Sequence, residues 1–341
     1  MSSQAPHHSS PSREGRRKSK KRVWKKVLLI IGCVLGVLII GGGAYAYHLY
    51  HSVQEAANKM YQPPSHGKGN QGDPSTAKHN PVDDGDGTPK PISILLMGVD
   101  QRPHDVGRSD TLIVMTLNPK TNKMQMVSIP RDTRVHIPGR EGYHKINAAY
   151  AYGGTALAMK TVKNYLNVPL DYYIRINMQG LSQLVDAVGG IRVYNDISWH
   201  DEGYYKKGYF YHKGWLHLNG PQTLGYVRMR HLDPRGDFGR NERQRDVIQA
   251  IVDKAAGFSS FSHYQKILDA ISSNVRTNLT FEDMKYIALN YRKCKKHIKT
   301  YELHGTPQMI NGISWVIVSD SEREKGHQMI MKQLNTQKKA Q

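Results

Sequence analysis

Two cysteines in 341 residues, Cys33 and Cys294, leave no disulfide framework and no thiolate-built zinc site. They lie in segments of very different character, so a bridge between them is not expected. No GxxxxGKS/T loop and no GxGxxG is present, which disfavours a nucleotide triphosphatase or a dinucleotide fold. No HExxH and no Cys/His cluster at metal spacing occurs; the 17 histidines are scattered, with His7 and His8 near the N-terminus. Without a GxSxG elbow a serine hydrolase lacks its signature. No internal repeat is visible. Acidic residues are also few, 28 against 48 Lys and Arg, for a formal charge of +20. Apolar content, 38%, is low for one compact domain and fits a chain that is folded only in part.

The positive excess is unevenly placed. Residues 1–26 hold nine Lys and Arg against Glu14 alone, in a Ser-, Pro- and His-rich stretch expected to be disordered. Val27 to Tyr47 follows, 21 residues without a charge, about 30 Å as a helix and so one hydrocarbon core. Lys and Arg ahead of such a helix mark the cytoplasmic side. Topology therefore explains the basic tail, and nucleic acid is not an expected partner. The expectation is a membrane helix over 27–49 with the rest of the chain outside the cytoplasm. Ala44-Tyr45-Ala46 resembles a cleavage site, but the apolar run is longer than a signal-peptide core, which favours an uncleaved anchor. No second long apolar run follows. Residues 50–90, with Pro63-Pro64 and the acidic Asp83, Asp84 and Asp86, read as an extracytoplasmic linker lacking a periodic apolar face. Residues 336–341 read as a short tail.

From Pro91 the texture becomes that of an α/β domain, expected over 91–335; from Pro91 to the end of the chain 35 basic and 22 acidic residues remain. Ile92 to Met97, Thr111 to Leu117 and Met124 to Ile129 are apolar runs of strand length. Ala148 to Leu166 reads as helix and Tyr172 to Ile176 as strand. Met178 to Val188 reads as helix, stopped by Gly189-Gly190, and Ile191 to Tyr194 as the next strand. Tyr204 to Trp215, with its many aromatic residues, reads as a core-packing hairpin rather than a surface flap or ligand lid.

Charged groups gather at the ends of these apolar elements, where α/β domains bind ligands. Asp100 and Arg102 follow the first strand, Arg108 and Asp110 precede the second, and Arg131 and Asp132 follow the third. Arg228 and Arg230, two residues apart, share a side if their segment is extended. Arg240, Gln244, Val247, Ile248 and Ile251 fall on one helical stripe, so the polar pair continues an apolar face at the N-terminal end of a helix, where anions are favoured. A single such arginine is usually a solvated surface residue. Several converging on one place suit a planar, multi-oxygen anion, and two nearby aspartates suit Mg²⁺ or Mn²⁺ with phosphate oxygens completing the shell. Pyrophosphate is the simplest ligand that needs both.

These blocks resemble the LytR-CpsA-Psr family. They are Gly98-Val99-Asp100-Gln101-Arg102, Arg108-Ser109-Asp110-Thr111, Ser128-Ile129-Pro130-Arg131-Asp132, Lys145-Ile146-Asn147-Ala148-Ala149-Tyr150 with Gly153-Gly154, Val185 to Gly190, and Tyr226 to Gln244. The resemblance covers about Pro91 to Ala255, and the region after about Phe258 matches no motif. It implies a three-layer α/β/α domain with a central mixed sheet, preceded by one transmembrane helix. It implies transfer of a glycopolymer, such as wall teichoic acid or capsule, from a polyprenyl-pyrophosphate carrier to peptidoglycan through a phosphodiester. Asp100 and Asp110 would hold the metal. Arg102, Arg108, Arg131, Arg228, Arg230, Arg240 and Gln244 would surround the pyrophosphate, with Arg108 and Arg131 closest to the chemistry. Asp132 or Asp237 would assist the acceptor hydroxyl or orient arginines. The apolar helices and sheet would form a groove for the polyprenyl chain. Two other readings stand beside this one: a pyrophosphatase that uses water as acceptor, and a non-catalytic, membrane-anchored regulator or lipid-binding module.

Overall fold

The computed structural model describes residues 47–48, 50–64, 89–100, 107–255 and 267–335. The chain divides into residues 1–52 and 53–341, and everything below concerns the second unit. In chain order its elements are α1 (residues 53–60), β1 (Ile92–Val99), β2 (Ser109–Asn118), β3 (Lys123–Ser128), β4 (Arg134–Val135), β5 (His144–Lys145), α2 (Ala148–Leu166), β6 (Tyr172–Asn177) and α3 (Met178–Ala187). Then come β7 (Ile191–Asn195), β8 (Trp199–His200), β9 (Phe210–Tyr211), β10 (Gly214–Leu218), α4 (Gly220–Arg228), α5 (Asp237–Ala255) and α6 (residues 267–271). The last are β11 (Val275–Thr277), α7 (Phe281–Asn290), β12 (His297–Glu302), β13 (Thr306–Ile310), β14 (Ile313–Ile317) and α8 (Asp320–Leu334).

A six-stranded sheet in the order β11-β6-β1-β2-β3-β12 forms the centre. It is mixed: β1 runs parallel to β6 and antiparallel to β2, and β3 runs parallel to β12. The two-residue period of the strands sends side chains to opposite faces. Leu95, Met97, Leu112, Val114, Val127 and Tyr173 pack with α2 and α8. Ile92, Ile94, Ile113, Met115, Met126 and Tyr172 pack on the other face, with residues of α7 and Ile248 of α5. Helices thus cover both faces, and each fully buried apolar side chain contributes about 1.5–3 kcal/mol. A further core joins α3, α4 and α5 to the β7–β10 ribbon.

The expected strands and helices of residues 92–188 form within two residues of their expected ends. Ile191 to Tyr194 is a strand, but it pairs with β10 and lies outside the central sheet. The segment expected as a linker begins as α1: Val53, Ala57 and Met60, at helical i, i+4, i+7 spacing, pack on Val275 and Phe281. In the aromatic segment Tyr211 is fully buried and stacks on Trp199 at 4.9 Å, whereas Tyr204, Phe210 and Trp215 are exposed. The residues after 258 belong to the same fold, since β11 and β12 form the two edges of the sheet. Val27 to Ala46, the core of the expected membrane helix, lies outside the described residues. Among those described, no helix is long and apolar enough to cross a membrane.

Candidate functional site

The site begins at an irregularity. β1 and β2 pair Gly98 with Thr111 and Val99 with Ser109, so Asp110 is the extra residue of a β-bulge. The bulge turns the Asp110 side chain out of the ladder. The Arg108 carbonyl accepts from the backbone N–H groups of both Asp110 (3.1 Å) and Asp100 (3.4 Å), which ties the two aspartates to one point of the chain. A Cβ at Gly98 would lie 2.9 Å from the Thr111 hydroxyl, so glycine keeps room for it. That hydroxyl donates to Gln244 Oε1 at 2.9 Å.

Arg131 follows β3 and reaches three carboxylates. Its Nη1 is 3.2 Å from Asp110, and its Nε lies 3.2 Å from Asp237 and 3.8 Å from Asp132. Burial works against its charge, but Asp237, Asp110 and Asp132 outweigh it and hold the guanidinium above its ordinary pKa. Lys145 of β5 holds the other side of Asp132 at 2.8 Å, and Asn147 donates to Asp110 at 3.3 Å.

The opposite wall comes from α4, α5 and the loop between them. Arg228 is the last residue of α4, so it and Arg230 do not share an extended strand as the two-residue spacing suggested. Arg228 pairs with Asp100 at 3.0 Å, and Arg230 lies 3.8 Å from Asp237. Asp237 opens α5, where a carboxylate suits the helix N-terminus. Arg240, one turn on, binds Asp237 at 2.9 Å and the Asp110 carbonyl at 3.4 Å. Burial lowers the Arg240 pKa, Asp237 opposes that shift, and Arg131 adds to it.

Arg243, which sequence reasoning left without a role, fixes this loop from beneath. Its guanidinium donates to the carbonyls of Tyr226 (3.1 Å) and Met229 (2.5 Å) and to buried Asp233 (2.6 Å). These carbonyls bracket Arg228, and the first closes an orphan of the α4 C-terminus. Burial disfavours the Asp233 anion, yet hydrogen bonds from Arg235 and Arg243 hold its pKa below the carboxylate range. Gly239 is required here, since a Cβ would lie 1.9 Å from Asp233 Oδ2.

Beside the charged cluster opens a cavity of about 360 Å³, almost wholly apolar. Leu96, Ile174, Leu181, Val247, Ile248 and Ile251 line it, and Gly98, Thr111 and Gln244 belong to both the cavity and the charged site. The stripe read from the sequence along α5 is therefore real: Gln244 stands where polar site passes into apolar cavity.

Among the described residues eight buried side-chain atoms lack a hydrogen bond, and four are here: Arg131 Nε, Arg240 Nε, Asp237 Oδ1 and Asn147 Oδ1. Arg131 Nε and Asp237 Oδ1 keep ion-pair partners without a well-aligned hydrogen bond, and buried groups so incompletely satisfied are costly unless a ligand completes them. No cluster of three or more Asp, Glu, His or Cys side chains suited to a metal occurs among the described residues. The oxygen donors present are Asp100, Asp110 and the orphaned Asn147 Oδ1. That set fits a hard cation that takes one or two carboxylates and fills its shell with water and phosphate.

Of the expected site residues, Asp100, Asp110, Arg131, Asp132, Arg228, Arg230, Asp237, Arg240 and Gln244 come together. Arg108 is exposed and makes no ion pair among the described residues; its backbone, not its side chain, is built into the site. Arg102 lies outside the described residues. Lys145, Asn147, Thr111 and Arg243 lie within the motif blocks but carry no expected site role; the structure gives them one as supports of the charged side chains.

The LytR_cpsA_psr family model matches residues 47–333. A polyisoprenyl-teichoic acid–peptidoglycan teichoic acid transferase TagU of Bacillus anthracis is 44% identical over 301 residues, 88% of this chain and 95% of that protein. The TagU of Bacillus subtilis (strain 168) is 42% identical over 309 residues, 91% of this chain and 95% of that protein. The crystal structure of B. subtilis TagU superposes with a TM-score of 0.59 at 41% identity, covering 73% of this chain and 98% of that one. A structure of TagT bound to LI-WTA superposes with a TM-score of 0.61 at 27% identity, covering 78% of this chain and 94% of that one.

Proposed function

The chain belongs to the LytR-CpsA-Psr family, and from that premise we propose that it transfers a glycopolymer of the wall teichoic acid kind from a polyisoprenyl-pyrophosphate carrier to peptidoglycan. The observation that carries the reading is the shared boundary of two unlike spaces. An arginine–aspartate cluster suited to phosphate opens at Thr111 and Gln244 into an apolar cavity. A free phosphate compound needs no such cavity, and a simple lipid needs no such cluster. A phosphate joined to a long apolar chain needs both.

Arg131, Arg228, Arg230 and Arg240 surround the pyrophosphate, with Arg102 and Arg108 as further contacts. Asp100 and Asp110 would hold Mg²⁺ or Mn²⁺, which when bound neutralises phosphate charge. Displacement at phosphorus depends on in-line positioning and charge neutralisation more than on a strong nucleophile. Arg131 and Arg240 are held in place before substrate arrives, so little reorganisation accompanies the reaction. Asp132, held by Lys145, and Asp237, shared by Arg131, Arg230 and Arg240, are the two carboxylates able to orient the acceptor hydroxyl. Polyisoprenyl phosphate leaves along the cavity. The reading places a basic N-terminus in the cytoplasm, one membrane helix over 27–49 and this domain outside, as the charge pattern favours.

The test is transfer from a defined lipid-linked donor to nascent peptidoglycan glycan, with products identified. Polymer on the glycan, lost in Arg131→Ala and Asp110→Ala and after chelation, is the expected result. Release of free polymer at the same rate with and without glycan would mean a pyrophosphatase. Bound lipid without turnover would mean a binding module.

A further inference from the structure

The β7–β10 ribbon buries Val193 and Leu216 on one side and presents Arg192, Tyr194, Trp215 and His217 on the other. Cross-strand pairing sets Trp215 opposite Tyr194 and His217 opposite Arg192. The rings of Tyr194 and Trp215 meet edge to face at 5.5 Å, and the Arg192 guanidinium lies 4.3 Å from the Trp215 ring. Trp215 is nonetheless 54% exposed and Tyr194 47% exposed. Large aromatic surface held rigid and left in solvent is a ready stacking face, because little side-chain freedom is lost on binding.

The ribbon borders a second cavity, of about 740 Å³, separate from the apolar one and lined by Arg192, His217, Asn219, Gln222, Asp253 and Lys254. Its carboxylates are already engaged. Asp186, also in its wall, accepts from the Gly220 N–H at 2.7 Å, and Asp253 accepts from Gln249 at 2.9 Å. These donors are neutral and leave both carboxylates charged; Arg192, which makes no ion pair among the described residues, and Lys254 stand beside them, so the cavity offers amides and charges of both signs to a ligand. The segment leading into β10 adds positive charge in the sequence, with Lys206, Lys207 and Lys213 in residues 204–215 after the acidic Asp201 and Glu202.

We infer that the ribbon face and this cavity form a second binding site, for an anionic saccharide chain. A mixed lining of amides, cations and engaged carboxylates beside an aromatic pair fits hydroxyls, sugar-ring faces and phosphate or carboxylate groups; a bilayer surface would not need the concave polar part. Placement agrees. Asn219 and Gln222 stand at the N-terminal end of α4 and Arg228 at its C-terminal end, about 14 Å and about 9 Å away along the helix. A polymer whose first units sit at the arginine cluster reaches the second site within a few sugars. The inference rests on the transferase reading only for the source of the saccharide, which is either the donor polymer or the acceptor strand.

The test is calorimetric titration of the whole protein with two lipid-free probes, a purified polyol-phosphate wall polymer and amidase-released glycan strands. Binding of either probe, weakened about tenfold by Trp215→Ala and by Arg192→Ala but retained by Arg131→Ala, is the expected result, and the probe that binds identifies the source. Transfer assays add a second readout: the KM advantage of long donors over single-unit donors is lost in Trp215→Ala. The inference is overturned if Trp215→Ala binds both probes as the wild type does, if neither probe binds, or if anionic vesicles bind this face instead. The titration needs no turnover, so failure of the transferase reading and failure of this site give different results.

Discussion

Replacing Arg131 by lysine separates charge from geometry. The guanidinium meets Asp110 through Nη1 and Asp237 through Nε, at 3.2 Å each, from two different edges of one planar group. A lysine keeps the charge but offers a single nitrogen on a shorter reach, so it cannot hold both carboxylates in these positions. Asp237 then turns toward Arg230 and Arg240, and Asp110 is left to Asn147, which displaces both walls of the site. Loss of one preorganised group facing developing phosphate charge costs about 100- to 1000-fold in rate, about 3–4 kcal/mol. Arg131→Lys should therefore fall in kcat nearly as far as Arg131→Ala. The assay is transfer from a defined lipid-linked donor over a range of concentrations, with thermal unfolding to confirm that both variants fold. If Arg131→Lys keeps most of the wild-type kcat, charge alone suffices and the geometric account is refuted.

Other outcomes follow from the same structure. Leu181→Trp fills the apolar cavity and should raise KM for a long-chain donor while sparing a short-chain one; equal effects on both would show that the chain binds elsewhere. Burial, then Glu242, pushes the Asp246 carboxyl up to about 6, above its unfolded value of 3.8. The folded state then holds this proton more tightly, so its contribution is complete below about pH 4 and is lost as pH rises through about 6. Asp246→Asn should flatten stability across that window and gain at most about 3 kcal/mol at pH 7; a variant with the wild-type pH profile of Tm would contradict this. Arg243→Met leaves Asp233 buried with a weaker set of donors and should cost about 3–5 kcal/mol in urea unfolding. A loss under about 1 kcal/mol would mean that the α4–α5 loop is held some other way.

Much of the fold is legible in the sequence where one signal dominates. The central strands β1, β2 and β3 are nearly all apolar because both of their faces are covered, and α2 spans Ala148–Leu166 as its pattern predicts, although the backbone kinks out of helical geometry at Gly153 and Gly154. The edge strands are not legible. β12, His297–Glu302, is largely polar and half exposed, and β11 has three residues, too few to show a period. The α1 face is three small or flexible apolar residues in a polar stretch. Within the site, arginines and aspartates at strand ends stand out as blocks. The supporting residues do not: Arg243 and Lys145 look like any solvated charge until the fold shows what they touch. The two-residue spacing of Arg228 and Arg230 suggests an extended segment, but the backbone beneath them is a helix end, because Asn219 and Gln222 form a capping box that starts α4 ahead of them.

The edges of the sheet also bear on the order of assembly. Both edge strands come from the last third of the chain, and β12 closes against β3 across more than 150 residues. Glu302, at the end of β12, then binds Arg245 and Asn241 of α5, the helix that carries Arg240 and Gln244. The site is thus secured by a segment made after every residue in it. A chain emerging from its N-terminus carries all the chemistry before it can hold any of it in place, so activity appears only with the completed domain.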